Sequence, residues 1–412
     1  TALDQNSIEV QAAAVAVQAL IEADKLLDEG QWKNALAEYE ALYTAHSAEP
    51  NIFIGMGIAH YKLGNIDLAI RNFVDALFRR FEPTWLKFYL NALLTHQSPI
   101  PAVVTIAGCK ATYPDLYQEI ESTGLLNRAN TACVDAGVFD KSATSTSAPI
   151  DDSEAALSAV QAVAELLKAD ENKEALVLAK EKIVRYPRSI GLLTNLGLAY
   201  KRAGLFEESL RTYLKVLLLR PEDQSACANL GNLFVERGEI TTAIVFLEAA
   251  AISFPTSALI WSNLAAAYNH SGKMPVEAEF AARKSVEINN AGADILRNTY
   301  RLLASALSRQ GRGKEALQSF KAGFDPDDRH SYNAPLLTML MDDDHTAQDV
   351  TEAHKLYGKK LEELAADPTA DTTDIVHRGG YPDCVSIGFV TADFRAHSVS
   401  YFALPLVEAL AL

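Results

Sequence analysis

Along most of the chain, apolar residues recur at three- and four-residue spacing, the mark of one buried face of an α-helix. Between Leu193 and Pro255 this pattern also repeats itself. Asn195-Leu196-Gly197 returns 34 residues later as Asn229-Leu230-Gly231. Gly204 returns as Gly238 and again as Gly272, and the aromatics Tyr200, Phe234 and Tyr268 keep the same step. So do Pro187, Pro221 and Pro255. The spacing predicts two helices per step. The small residues Gly197 and Gly231 allow the two helices of a pair to approach closely. Gly204, Gly238 and Gly272 supply the left-handed turn between them. The prolines end the second helix, because proline has no N–H for a helix interior. One such pair cannot cover its own apolar stripe, so the pairs must stack on their neighbours.

A 34-residue step with these phases resembles the tetratricopeptide (TPR) repeat. One copy reads Leu193, Leu196-Gly197, Tyr200, Ser209, Tyr213, Pro221; the next reads Cys227, Leu230-Gly231, Phe234, Ala243, Leu247, Pro255; a third starts Trp261, Leu264-Ala265, Tyr268. The same phases occur earlier, at Gly30, Ala35, Tyr39 and Leu42, then at Gly57, His60, Gly64, Ala69, Phe73 and Ala76. From Thr84 to Gly137 they degrade, and Pro99, Pro101 and Pro114 predict short helices there. The chain therefore divides into partly degenerate N-terminal repeats over 1–139, a Ser/Thr/Ala-rich linker over 140–152, and a second array over 153–328. Connecting helices over 329–380 follow, off the repeat. Residues 381–412 change character. Cys384–Val390 alternates apolar and small residues as a strand does, Thr391–His397 is a loop, and Ser398 caps a helix through Tyr401, Phe402, Leu406 and Leu410. The expected fold class is all-α, a superhelical solenoid, with one terminal strand–loop–helix unit beginning a Rossmann-like α/β domain.

Composition narrows the partners. A net charge of −16 argues against nucleic acid and anionic membrane surfaces. No apolar run reaches the length of a spanning helix. The four cysteines, Cys109, Cys133, Cys227 and Cys384, show no metal-ligand or disulfide spacing. Cys227 takes a packing phase of a repeat. A reduced, cytoplasmic setting and no metal are the expectation.

Several C-terminal blocks carry a more specific resemblance. They are Ser331-Tyr332-Asn333, Leu337 and Met341; Ala353-His354-Lys355-Leu356-Tyr357-Gly358; and the run from Ile387 through Asp393-Phe394-Arg395-Ala396-His397-Ser398 to Phe402. Together with the repeats they resemble the O-linked N-acetylglucosamine transferases and their SPINDLY relatives. The resemblance implies two Rossmann-like halves in the catalytic region and a nucleotide-sugar donor, UDP-GlcNAc or GDP-fucose. No cofactor is expected within this chain itself. The resemblance places His397 as a candidate base for a Ser or Thr hydroxyl, with Asp393, Phe394 and Arg395 in the loop beside it. An imidazole suits that proton transfer. The competing reading is that His397 orders the loop or caps its helix. With little of the catalytic region present, the chain alone is expected not to transfer sugar.

Asn195, Asn229 and Asn263 share one phase of the first helix, the phase expected to face the groove. A side-chain amide offers one acceptor and two donors, a match for any peptide unit. The resemblance implies that such a ladder grips the backbone of extended acceptor peptides. Lys201, Asn232 and Asn269 are expected to line the same groove. The bland alternative is that these asparagines are solvated consensus residues. Three functions stay open: the substrate-recognising region of a protein O-glycosyltransferase, a non-catalytic TPR adaptor, and an assembly platform that dimerises through its N-terminal repeats. A clamp for chaperone tails is disfavoured, because Thr194, Ala228 and Ser262 stand where it needs lysine.

Overall fold

The structure is a computed structural model that describes residues 2–45, 49–135, 150–220, 222–290, 292–325, 335–336, 338–339 and 345–365. Every regular element among them is a helix. The chain divides into two compact units, Thr1–Tyr357 and Gly358–Leu412, and the helices below belong to the first except where stated.

The helices come in antiparallel pairs. The N-terminal part holds α1 (Ala2–Asp28) with α2 (Trp32–Ala45), α3 (Pro50–Lys62) with α4 (Ile66–Arg79), α5 (Pro83–Thr95) with α6 (Pro99–Thr112), and α7 (Pro114–Ser122) with α8 (Leu125–Asp135). The C-terminal part holds α9 (Glu154–Lys168) with α10 (Asn172–Arg185), α11 (Ile190–Arg202) with α12 (Phe206–Leu219), and α13 (Gln224–Glu236) with α14 (Ile240–Ser253). It continues with α15 (Ala258–Ser271) and α16 (Pro275–Ile288), then α17 (Ala293–Arg309) and α18 (Gly313–Ala322). The last described helix, α19 (Ala347–Ala365), crosses from the first unit into the second. The strand and loop expected over 384–397 lie outside the described residues, as do Pro221 and most of the expected linker.

The repeat phases act as the spacing demands. Gly231 faces Leu247 so closely that an added Cβ would sit 2.2 Å from Leu247 Cδ2. Gly197 faces the ring of Tyr213 in the same way. Gly204, Gly238 and Gly272 take φ values of 73°, 78° and 70° in the turns. Pro99 and Pro114 do not interrupt helices but open them, at the first position of α6 and α7, where the missing N–H costs nothing. The degenerate stretch is thus two further helical pairs.

First helices of successive C-terminal pairs pack on one another, α9 on α11, α11 on α13, α13 on α15 and α15 on α17. They form a continuous layer. The N-terminal repeats fold back on the other layer: α6 and α4 pack against α14. Gly108 of α6 meets Ser253 of α14, where an added Cβ would lie 2.3 Å from the serine Cβ. The Phe78 ring of α4 lies tilted against Trp261 at 4.9 Å and stacks on Phe280 at 6.0 Å. This explains why α14 is apolar all round and buried from Phe246 to Ser253. It is covered on its outer side as well as its inner one.

Candidate functional site

The layer of first helices in the C-terminal array is the surface that the sequence singles out. Asn195, Asn229 and Asn263 lie half-buried along it, one per pair. Two of them bridge pairs. The Asn195 amide donates to the Val160 carbonyl at 3.0 Å, and the Asn263 amide donates to the Ala228 carbonyl at 2.8 Å. Each acceptor lies 35 residues before its donor, on the preceding first helix. A helix carbonyl already engaged along its own helix keeps a second lone pair for this. Asn229 makes no side-chain hydrogen bond among the described residues. The ladder therefore fastens helix to helix at two of its rungs, and it does so through the amide N–H groups of Asn195 and Asn263 rather than through their acceptor oxygens.

The neighbouring positions form a polar network. Lys201 Nζ and Asn232 Nδ2 converge on Glu236 Oε1, at 2.8 and 3.1 Å. Arg202 repeats the bridging motif by donating to the Leu167 carbonyl at 2.6 Å. Asn269 is more buried, at 6% exposure. Its amide donates to the Leu302 carbonyl of α17 at 3.0 Å, and its Oδ1 is buried without a partner. An unpaired buried acceptor costs about 1–3 kcal/mol. Flipping the amide would aim that oxygen at the Leu302 carbonyl, so the orientation is held.

The structure thus brings Asn195, Asn229, Asn263, Lys201, Asn232 and Asn269 to one layer of helices. His397, Asp393, Phe394 and Arg395 lie outside the described residues. Among the described residues no cluster of His, Cys, Asp or Glu has the arrangement of a metal site, and no helix is long and apolar enough to cross a membrane. Cys109, Cys133 and Cys227 are free and buried. Burial pushes the Cys109 and Cys133 thiols up to about 12 and Cys227 higher still, so these thiols pack rather than react.

The periodicity did not point to the junction between the N-terminal repeats and α14. Glu248, at 7% exposure, accepts a hydrogen bond from Tyr268 at 2.7 Å there. Burial pushes its carboxyl up to about 7; Asp75 and Glu277 add to the rise, while the Tyr268 hydrogen bond and Arg71 oppose it. The signal available was a single charge in the otherwise uncharged helix 240–253.

Residues 194–258 match the tetratricopeptide repeat family. No curated protein is similar enough in sequence to count as a relative. Among solved structures, MamA from Desulfovibrio magneticus RS-1 is similar at 21% identity and a TM-score of 0.34, over 42% of this chain and 95% of that one. A TPR protein of Thermus thermophilus is similar at 17% identity and 0.36, over 50% and 99%. The APC/C hetero-tetramer Cut9–Hcn1 is similar at 11% and 0.45, over 85% and 84%. Residues 194–258, which hold the clearest copies of the 34-residue unit, are thus tetratricopeptide repeats.

Proposed function

We propose that the chain is a protein–protein interaction adaptor whose layer of first helices, α9 to α17, binds an extended segment of a partner protein. The observation that carries this is the register of Asn195, Asn229 and Asn263. Two of these amides are oriented by a carbonyl of the preceding helix. An oriented amide loses less conformational entropy when a peptide N–H reaches its oxygen. Backbone contacts of this kind select for extended conformation rather than for side-chain identity. The test is selection from a library of synthetic peptides on the whole chain, followed by Asn229→Ala, which breaks no hydrogen bond seen within the protein. Affinity for every selected peptide should fall by a similar factor, several-fold in each case. Peptides that bind the variant and the wild type equally would refute the groove reading.

A second reading rests on the Ile387–Phe402 block and its resemblance to protein O-glycosyltransferases. In it the same layer feeds acceptor peptides to a catalytic region that uses His397 and a UDP-GlcNAc or GDP-fucose donor. Mass spectrometry of acceptor proteins incubated with the natural full-length protein and each donor tests it. Absence of transfer with both donors removes this reading and leaves the adaptor standing. Self-association through the N-terminal repeats competes with the packing of α6 on α14 within one chain. Light scattering across concentrations measures that competition.

A further inference from the structure

Where the N-terminal repeats dock on the second layer, α4, α14 and the turn between α15 and α16 enclose a cavity of about 440 Å³. One part of its wall is apolar, formed by Ile70 of α4, Ile240, Ile244 and Val245 of α14, and Met274 of the turn; the rest is polar and includes Asp67, Arg71, His96, His270 and Lys273. Glu248 contributes the one acidic group of α14 to the lining. We propose that this cavity binds an alkylammonium group, an apolar stem ending in a primary amine, with the Glu248 carboxylate as its counter-ion.

The cavity lining carries two acids, Asp67 and Glu248, and two bases, Arg71 and Lys273. Arg71 of α4 lines it but is engaged by Glu277 of α16 and reaches Met274 Sδ at 3.8 Å. Asp75 of α4 adds a further negative charge nearby. Lys273 lies exposed in the turn, where water and salt screen it. The buried carboxylate is screened far less, so it decides which sign of charge is held. His96 at the end of α5 is paired with Asp67 at 2.8 Å, and His270 of α15 is turned to the Ala266 carbonyl at 2.8 Å. Tyr268 satisfies Glu248 Oε1 only. The hydroxyl of Tyr89 on α5 is fully buried with no hydrogen-bond partner, and the charge of Glu248 adds to the burial that raises its pKa. The junction therefore holds a buried carboxyl whose neighbouring cation, Arg71, is engaged by Glu277, beside an apolar wall that suits the stem of an alkyl amine. The asparagine positions of the first-helix layer play no part in this.

Binding is coupled to proton release. Without a bound cation, burial keeps Glu248 protonated up to about pH 7. An arriving ammonium takes the place of that proton, which leaves to solvent. Tyr268 on α15, Asp75 and Arg71 on α4 and Glu277 on α16 set this balance, with Tyr89 on α5 coupled to the same carboxyl; Asp67, His96, His270 and Lys273 line the same cavity.

The test is calorimetric titration of the whole chain with pentylamine, with pentanol as the neutral isostere and with a short acetylated peptide carrying one lysine. Pentylamine should bind saturably, at least about tenfold tighter than pentanol, with Kd falling about tenfold per pH unit between about pH 5.5 and 7 and levelling above. Glu248→Gln should abolish the preference for the amine. Ile244→Trp, which fills the cavity and leaves the carboxyl in place, should abolish binding. If the lysine peptide also binds, the amine comes from a partner side chain; if pentylamine alone binds, it is a free small amine. Equal binding of pentylamine and pentanol, a pH-independent Kd, full binding to Glu248→Gln, or no saturable binding would each overturn the proposal.

Discussion

Glu248→Gln should stabilise the protein at neutral pH, although it removes a hydrogen-bonded side chain from the interior. The Glu248 carboxyl is raised from an ordinary 4.5 to about 7, with burial as the main cause. A separation of about 2.5 pH units is worth about 3 kcal/mol. When the junction opens, Glu248 returns to its ordinary value. Between pH 4.5 and 7 the opened state has therefore lost a proton that the closed state keeps, so stability falls as pH rises. Above about pH 7 the full penalty is present; below 4.5 it is absent. Glutamine keeps a carbonyl for the Tyr268 hydroxyl and has no charge to desolvate. Repeat arrays open in parts, so a global melting curve would blur the effect. Hydrogen exchange of the α14 amides, read as the ratio of variant to wild-type protection at each pH, isolates it. The ratio should be near one at about pH 4.5, rise about tenfold per pH unit, and level near about 300-fold above about pH 7. A ratio that is flat with pH, or below one at about pH 8, would show that the carboxylate is solvated or paired at the junction and would refute the reasoning.

Other substitutions separate the roles of the repeat positions. Asn195→Ala and Asn263→Ala each remove a bridge between pairs and should cost about 0.5–1.5 kcal/mol in urea unfolding, while Asn229→Ala should cost nothing measurable. Gly231→Ala drives a methyl into Leu247 and should cost about 1–3 kcal/mol. Leu247→Ala in the same chain should recover part of that loss, which a double-mutant cycle reads as a favourable coupling. Gly108→Leu places a wedge against the Ser253 backbone and should release the N-terminal repeats from α14. Small-angle scattering would then report a larger radius of gyration with helix content unchanged by circular dichroism; an unchanged radius would show that α6 does not hold the junction.

Much of the fold was legible because it is local. Gly204, Gly238 and Gly272 need a left-handed backbone, Gly197 and Gly231 need the absence of a Cβ, and both needs recur with the step. The degenerate stretch was harder to read for a reason that the structure makes plain. Pro99 and Pro114 read as breaks, and they are breaks, but each starts the next helix. The left-handed turn is also kept without glycine: Asp170 holds the 34-residue phase at a φ of 60°, and Gln97, one residue short of it, takes 59°. Strain of this kind is small for aspartate and is tolerated elsewhere when packing on both sides fixes the turn. The asparagine phase was legible as a pattern but not as a role. Whether an amide faces a ligand or the previous helix depends on a separation across pairs, which no single repeat encodes.

The junction is the part that periodicity could not supply, since it joins residues far apart in sequence through no repeated spacing. Its trace lies in composition instead. An outer helix of a repeat array should be polar on one side, and helix 240–253 is not. That asymmetry requires a cover, and the cover must bring small residues where the helices cross, as Gly108 does at Ser253. Once the helix is covered, its single carboxyl cannot stay at the surface. It must be paired, protonated or reserved for something that arrives. Tyr268 donates one hydrogen bond to it, and Arg71, which lines the same cavity, is held by Glu277. Pairing within the chain is thus incomplete. Protonation keeps the carboxyl neutral at low pH, and a cation from outside is the remaining partner that lets it ionise at higher pH without opening the junction.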